Sequence, residues 1–564
     1  MKVLIIGGVA GGATAAARLR RLDESAEIVI LERTGYVSYA NCGLPYYIGG
    51  TIQNKRALTL QTPQSFASRF RIDVRVHQEA LSIDPAAKTV QVKNLETGEV
   101  YTESYDKLIL SPGAKAVRPS MPGIDSSRIF TLRTVEDTFR IRETLDQLAP
   151  RKAVVIGGGF IGLEMAENLV HAGIQTTLLQ RSGQVMPPLD SDMAALVHAY
   201  LRTQQVDLRL HQAVVGFEER DGQIYTLLKE GEPVAADVVI LAIGVTPDSH
   251  LAKDAGLQLG AKDSIVTNEH MQTSQPDIYA VGDAVEVRHF VTGKPALIAL
   301  AGPANKQGRI AADHICGLNR AFTGSQGSSV LKLFDMTIAA TGISEKTARA
   351  SDIACDKVVT FSASHATYYP GSTDMTIKTI FDPQTGKILG AQIVGFEGVD
   401  KRIDVLATAI HAGMTSADLE ELDLAYAPPY SSAKDPVNMA GFVIENLRTG
   451  LVRQHHWDEV EQLPQDGSVI LLDVRTTGEF ARGSIPGAVN IPLDELRDRL
   501  AELDPSKKIY VNCQSALRSY LACRILTQHG FWCSNLCGGY RFYDYMMQNR
   551  CFDSDPAYPC GIKM

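Results

Sequence analysis

Apolar runs about one strand long, each closed by glycine or turn residues and followed by a helical stretch, organise the first half of the chain. Residues 2–7 (KVLIIG) read as a buried strand, residues 13–22 as the helix behind it, and residues 27–31 as a second strand. The pattern returns at residues 153–156 (strand), 163–171 (helix) and 175–179 (strand). Three further apolar runs end in small or turn residues: 108–113 (LILSPG), 239–244 (VILAIG) and 278–283 (IYAVGD). Near the C-terminus, residues 469–473 and 508–512 predict two more strands. Strands alternating with helices predict an α/β fold class with parallel sheets.

Length, charge and cysteine use narrow the class. At 564 residues the chain is too long for one core and predicts roughly three to four domains. A formal charge of -9 is mild for this length and argues against a general nucleic-acid binder. No apolar run approaches the roughly 20 residues that span a membrane. The opening MKVLIIGG lacks the basic start and cleavage site of a signal peptide, so a cytoplasmic location is expected. Nine cysteines, sparse through the first 500 residues, do not form a secreted disulfide framework. Cys533, Cys537, Cys551 and Cys560 are spaced CxxxC and Cx8C, a poor fit to common structural zinc sites, so no metal is expected.

Two turns carry nucleotide chemistry. Gly7-Gly8-Val9-Ala10-Gly11-Gly12 lies between strand and helix, where glycines admit a pyrophosphate and the helix N-terminus offers amide donors. Val9 replaces the middle glycine, but Glu32 ends the second strand where a carboxylate can accept hydrogen bonds from an adenosine ribose. The second turn, Gly157-Gly158-Gly159-Phe160-Ile161-Gly162, is a full GxGxxG. Its strand ends in Gln180-Arg181: Gln180 suits the hydroxyls of NADH and Arg181 the 2′-phosphate of NADPH, which leaves both open.

With the run ending at Asp283, these elements resemble the two-dinucleotide flavoprotein superfamily that includes the disulfide reductases. The resemblance implies FAD at the first turn, NADH or NADPH at the second, and a return of the 278–283 strand to the first domain, with Asp283 at the flavin. Disulfide reductases of this superfamily carry CxxxxC beside the flavin. Here Cys42 has Tyr47 in place of the second cysteine. Cys42 must then cycle with an external sulfur or through a sulfenic acid, and a low thiolate pKa near a helix N-terminus would suit it.

The segment SYANCGLPYYIGG around Cys42, together with Ala425-Tyr426-Ala427-Pro428-Pro429-Tyr430, resembles the coenzyme A-disulfide reductase branch over residues 1–445. That resemblance implies bound coenzyme A reaching Cys42, with Ser38 and Asn41 beside the pantetheine arm. Arg18, Arg20 and Arg21 would pair with its phosphates; Gln61, Thr62 and Arg69 are weaker candidates. It also implies a homodimer in which Tyr426, with Tyr368 or Tyr369, comes from the partner subunit.

The last hundred residues carry a different motif set. A strand ends in Asp473-Val474-Arg475; Ile485-Pro486-Gly487-Ala488 and Asn490-Ile491-Pro492 follow; and Cys513-Gln514-Ser515-Ala516-Leu517-Arg518 lies between a strand and a helix. This resembles a rhodanese domain, in which inward N–H groups and the helix dipole would hold Cys513 as a persulfide while Arg518 closes the loop by charge. Gln514 and Ala516 replace a usual Arg and Gly, and Ala516 would be strained if its φ is positive.

The implied organisation is an α/β chain: an FAD domain (1–148 and 250–324), an NAD(P)H domain (149–249), both Rossmann-like, an α+β dimerisation domain (325–447) and a rhodanese-like α/β domain (448–564). A sulfane-sulfur carrier joined to a thiol-handling flavoprotein predicts NAD(P)H-dependent reduction of persulfide or polysulfide, coenzyme A persulfide among them. The alternatives are coenzyme A-disulfide reduction, an NADH oxidase or peroxidase, and a non-catalytic redox sensor.

Overall fold

The computed structural model describes the backbone of residues 1–554 and the side chains of residues 1–548. The chain forms two compact units. One comprises residues 1–185 and 205–327, the other residues 186–204 and those from 328 onward.

The first unit holds two five-stranded parallel sheets of matching design. In one, the order is Ile278–Ala280, Lys107–Leu110, Lys2–Ile6, Glu27–Glu32, Asp73–Val76. In the other it is Val206–Arg209, Gln175–Leu179, Lys152–Ile156, Val238–Leu241, Ile129–Phe130. The strand Ile278–Ala280 thus returns to the first sheet, as the resemblance implied. Val3, Leu4, Ile5 and Val154, Val155 are fully buried, as expected of parallel strands covered on both faces. The helices start earlier than the apolar pattern indicates, at Ala10 and Phe160, because the last residues of each glycine motif already form the first helical turn.

The second unit contains an antiparallel sheet, Ser329–Leu333, Met336–Gly342, Ile388–Gly395, Asp374–Phe381, Asp356–Ala363 in spatial order. It also contains the parallel sheet Gln454–His455, Cys533–Leu536, Lys508–Asn512, Val469–Asp473, Val489–Asn490. The helix Ser191–Thr203 belongs to this unit, although the sequence division keeps 149–249 together. Buried charge accounts for its placement. Lys378 is fully buried and its ammonium lies 2.7 Å from Asp192 and 3.1 Å from Asp190, and also bonds Glu345. Removing either partner of such a network costs about 3–5 kcal/mol, so the helix is locked to the sheet. The lysine fills the space among the three carboxylates.

Candidate active site

At the carboxyl edge of the first sheet lies a cavity of about 500 Å³, lined by both the glycine turn and the cysteine segment: Gly7, Gly11, Glu32, Ser38, Asn41, Cys42 and Asp283 all face it. Size and position suit a small-molecule site. Gly7 has φ +96°, and a Cβ there would meet the Ser111 carbonyl at 2.0 Å; one on Gly12 would meet the Gly7 carbonyl at 1.9 Å. The second turn repeats this, with Gly157 at φ +106° and Gly162 packed on the Gly157 carbonyl. Gly159 faces open space instead, room a ligand backbone or phosphate can use. Neither helix, Ala10–Leu22 or Phe160–His171, has a side-chain N-cap. The Gly12 N–H is taken by Ser111 Oγ at 3.1 Å; the remaining first-turn N–H groups and the dipoles fit an anionic pyrophosphate at each turn.

The strand-end residues hold matching positions. Glu32 Oε2 accepts the Gly8 N–H at 2.9 Å, and Gln180 Oε1 accepts the Gly158 N–H at 3.0 Å. Glu32 Oε1 takes the Thr34 N–H and hydroxyl, which leaves about one acceptor site on a carboxylate that lines the cavity. The Gln180 amide nitrogen is committed to Ser182 Oγ and the Gln184 carbonyl. Arg181 is exposed. Asp283 does not cap a helix; it accepts from Arg133 at 2.6 Å.

Cys42 is exposed at the cavity mouth, in the short turn Asn41–Gly43. Together, the protein groups around Cys42 do not lower its thiol pKa. Burial of the thiol's surroundings pushes it up, as do the Glu164 and Asp283 carboxylates, against Arg133. The helix that follows, Leu44–Ile48, is only five residues long and offers little opposing dipole. Glu164 was not singled out from the sequence. It stands in the Phe160–His171 helix, and burial with the neighbouring Glu167 raises its carboxyl to about 7. The available signal was two acids three residues apart in a mostly apolar helix.

Of the three helix arginines, Arg20 is the one the structure withdraws from phosphate binding. Arg20 is buried and donates to five carbonyls, of Phe70, Asp23, Glu24, Ala26 and Arg71; it ties together the ends of two helices and the connections after them, and is unavailable to a phosphate. Arg18 is paired with the buried Asp313 at 2.6 Å, and Arg21 points to solvent. Gln61 lies outside the cavity lining and accepts the Ser65 hydroxyl at 2.8 Å. Thr62 is the N-cap of Pro63–Phe70, and Arg69 is exposed.

In the second unit, the Tyr368 and Tyr426 hydroxyls hydrogen-bond at 2.7 Å. Tyr369 instead packs edge-on against His365. Tyr368 and Tyr430 are 74% and 72% exposed; with Tyr426 they present aromatic surface of the kind that marks an interaction site.

The Cys513 loop leads into the helix Leu517–Gln528. The carbonyls of Cys513, Gln514 and Ala516 bond outward, to Tyr540 N–H, Arg541 N–H and the Asn535 amide. Ala516 has φ +70°, so the strain feared from its Cβ is present. Cys513 is fully buried, and its sulfur accepts the Ser519 hydroxyl at 3.2 Å. Arg518 makes a bidentate pair with Glu479 at 2.7 and 2.8 Å, which holds the Glu479 carboxyl down to about 2. It therefore anchors the loop to the helix Thr477–Ala481 rather than to the thiol. Behind the loop, Arg475 and Asp473 form a buried pair at 2.7 Å. Cys533 contacts the Cys523 carbonyl and Thr527, while Cys537 accepts the Val359 N–H at 3.2 Å. The Cys551 side chain and Cys560 lie outside the described residues.

Comparison with known proteins agrees with this geometry. Residues 1–308 match the pyridine nucleotide-disulphide oxidoreductase family, 328–436 its dimerisation domain, and 456–543 the rhodanese-like domain. The coenzyme A disulfide reductase of Staphylococcus haemolyticus (strain JCSC1435) is 38% identical over 447 residues, which is 79% of this chain and 100% of that protein. The reduced CoADR-RHD of Bacillus anthracis superposes with a TM-score of 0.95 at 49% identity, covering 97% of this chain and 98% of that one. An NAD-dependent persulfide reductase from A. fulgidus gives 0.89 at 38% identity, covering 96% and 100%. The chain belongs to the pyridine nucleotide-disulphide oxidoreductase family. It is a flavoprotein oxidoreductase whose family uses FAD and NAD(P)H, extended by a rhodanese domain.

Proposed function

We propose that the chain reduces persulfide or polysulfide sulfur, coenzyme A persulfide included, with NAD(P)H as electron source. The observation that carries this is a single cysteine at the mouth of the nucleotide cavity, with no second cysteine at position 47, in a chain that also carries the Cys513 loop. The net change is persulfide plus NAD(P)H plus a proton giving thiol, hydrogen sulfide and NAD(P)+.

Gly7, Gly8, Ala10, Gly11, Gly12, Glu32 and Asp283 would hold FAD; Gly157, Gly159, Gly162, Gln180 and Arg181 would hold NAD(P)H. Bound FAD supplies the two-electron link between nicotinamide and sulfur. Cys42 attacks a sulfur–sulfur bond of the substrate and is left carrying half of it. Ser38 and Asn41, beside Cys42 on the cavity wall, orient the entering thiol compound. In a homodimer, the Tyr368–Tyr426 hydroxyl pair of one protomer would face Cys42 of the other and protonate the departing thiolate. Cys513 takes up sulfane sulfur, and Arg518 fixes its loop through Glu479. The four-part division 1–148 with 250–324, 149–249, 325–447 and 448–564 assigns these roles to domains, in a cytoplasmic, reducing compartment where Cys42 stays available.

Coenzyme A-disulfide reduction is the second reading. It is favoured by the coenzyme A disulfide reductase of Staphylococcus haemolyticus, which matches 79% of this chain over 100% of its own length. Anaerobic NAD(P)H consumption with coenzyme A persulfide, polysulfide and coenzyme A disulfide separates the two. Faster turnover on the sulfane substrates supports the proposal; turnover on coenzyme A disulfide alone overturns it in favour of the second reading.

A further inference from the structure

A second cysteine of the C-terminal sheet has the surroundings of an active nucleophile. Cys537 follows the strand Cys533–Leu536 and is 7% exposed. The His456 imidazole stands against its thiol and meets the Asp356 carboxylate, Nε2 to Oδ1, at 3.2 Å. The Val359 backbone N–H donates to the sulfur at 3.2 Å. A thiol against a carboxylate-oriented histidine, with an amide donor aimed at the sulfur, is the grouping that nucleophilic cysteines use. Burial alone would lower the basicity of His456, but its Asp356 and Cys537 neighbours raise it to about 10, so a charged imidazole stands beside the sulfur.

The sheet register places this group beside Cys513. His455 pairs with Leu536, so the next residues are His456 and Cys537. Val511 pairs with Asn535, so two residues on stand Cys513 and Cys537. Histidine, Cys537 and Cys513 thus form one row across the carboxyl ends of three adjacent parallel strands. The Cys537 N–H to His455 carbonyl bond, 2.9 Å, and the Tyr540 N–H to Cys513 carbonyl bond, 2.7 Å, keep the row tight. Adjacent strands lie about 4.8 Å apart, and a persulfide adds about 2 Å of reach.

We propose that Cys537 is a second sulfur carrier that receives sulfane sulfur from Cys513. The Cys537 thiolate attacks the outer sulfur of the Cys513 persulfide. A sulfur–sulfur bond forms at Cys537 and the one at Cys513 breaks. Cys513 leaves as thiolate, under the Ser519 hydroxyl, and the outer sulfur keeps its proton. No electrons are gained or lost, so the step needs no further reductant. The inference rests on the reading of Cys513 as a persulfide carrier.

The test loads the full-length chain with polysulfide, traps persulfides by alkylation and locates the extra sulfur by peptide mass spectrometry. The wild-type chain is expected to carry sulfur on both Cys513 and Cys537. Cys513→Ser removes the label from Cys537, whereas Cys537→Ser leaves Cys513 labelled. His456→Gln, which keeps both thiols, slows labelling of Cys537 by roughly a hundredfold; persisting label on Cys513 reports an intact loop. Label on Cys513 but never on Cys537, or label on Cys537 undiminished in Cys513→Ser, overturns the relay. An unlabelled Cys513 in the wild-type chain defeats the carrier reading itself.

Discussion

Cys42 and Cys513 are both thiols at the carboxyl edge of a parallel sheet, but their surroundings differ. Cys42 is exposed, at a cavity, beside carboxylates that oppose its ionisation. Cys513 is fully enclosed, with a hydroxyl on its sulfur and a twelve-residue helix behind its loop. An open site whose thiol is released by proton control suits a bulky substrate and a two-electron reaction. A closed, pre-formed cradle suits holding one sulfur atom. The contrast shows that position on the fold is shared between the two sites while reactivity is set by the neighbours.

Substitutions test this contrast in order of expected effect. Cys42→Ser should lower NAD(P)H-driven sulfur reduction by at least about a thousandfold with every sulfur acceptor, measured anaerobically. Cys513→Ser should slow turnover on polysulfide and leave coenzyme A disulfide turnover unchanged; equal losses on both would show that the two sites do not divide the work.

Glu164→Gln probes the proton control. A carboxyl raised from 4.5 to about 7 destabilises the fold when ionised. That cost is absent below about pH 4.5, grows as pH rises, and is complete above about pH 7, where it reaches about 3 kcal/mol. The variant should therefore melt higher than wild type above pH 7 and match it in acid. It should also lower the Cys42 thiol pKa, moving the rise of activity toward lower pH. Ala516→Gly is the smallest change: relief at φ +70° should stabilise the rhodanese domain by about 1 kcal/mol, read by denaturant unfolding.

Both nucleotide folds were legible from the sequence because their signals are local: an apolar strand, glycines at fixed offsets and a strand-end acid or amide. The place of Cys42 on the cavity wall was legible through its segment, beside the strand-end Glu32. Arg20 was misread because its five carbonyl acceptors reach from Asp23 to Arg71, and helix-face periodicity does not reveal such a buried role. Glu164 was missed because an acid in a helix reads as a solvated residue unless the packing over it is known. The group of Asp356, His456 and Cys537 joins residues far apart in the chain, a relation that no motif spacing encodes.

Reduction through Cys42 is tested most directly by a single turnover. The NAD(P)H-reduced holoenzyme is mixed with one equivalent of coenzyme A persulfide and acid-quenched, and the Cys42 peptide is weighed while sulfide is assayed. A sulfur-bearing adduct on Cys42 that forms and then decays as sulfide or thiol appears is the expected result. Sulfide released at an undiminished rate in Cys42→Ser, or with Cys42 unmodified throughout, would contradict it.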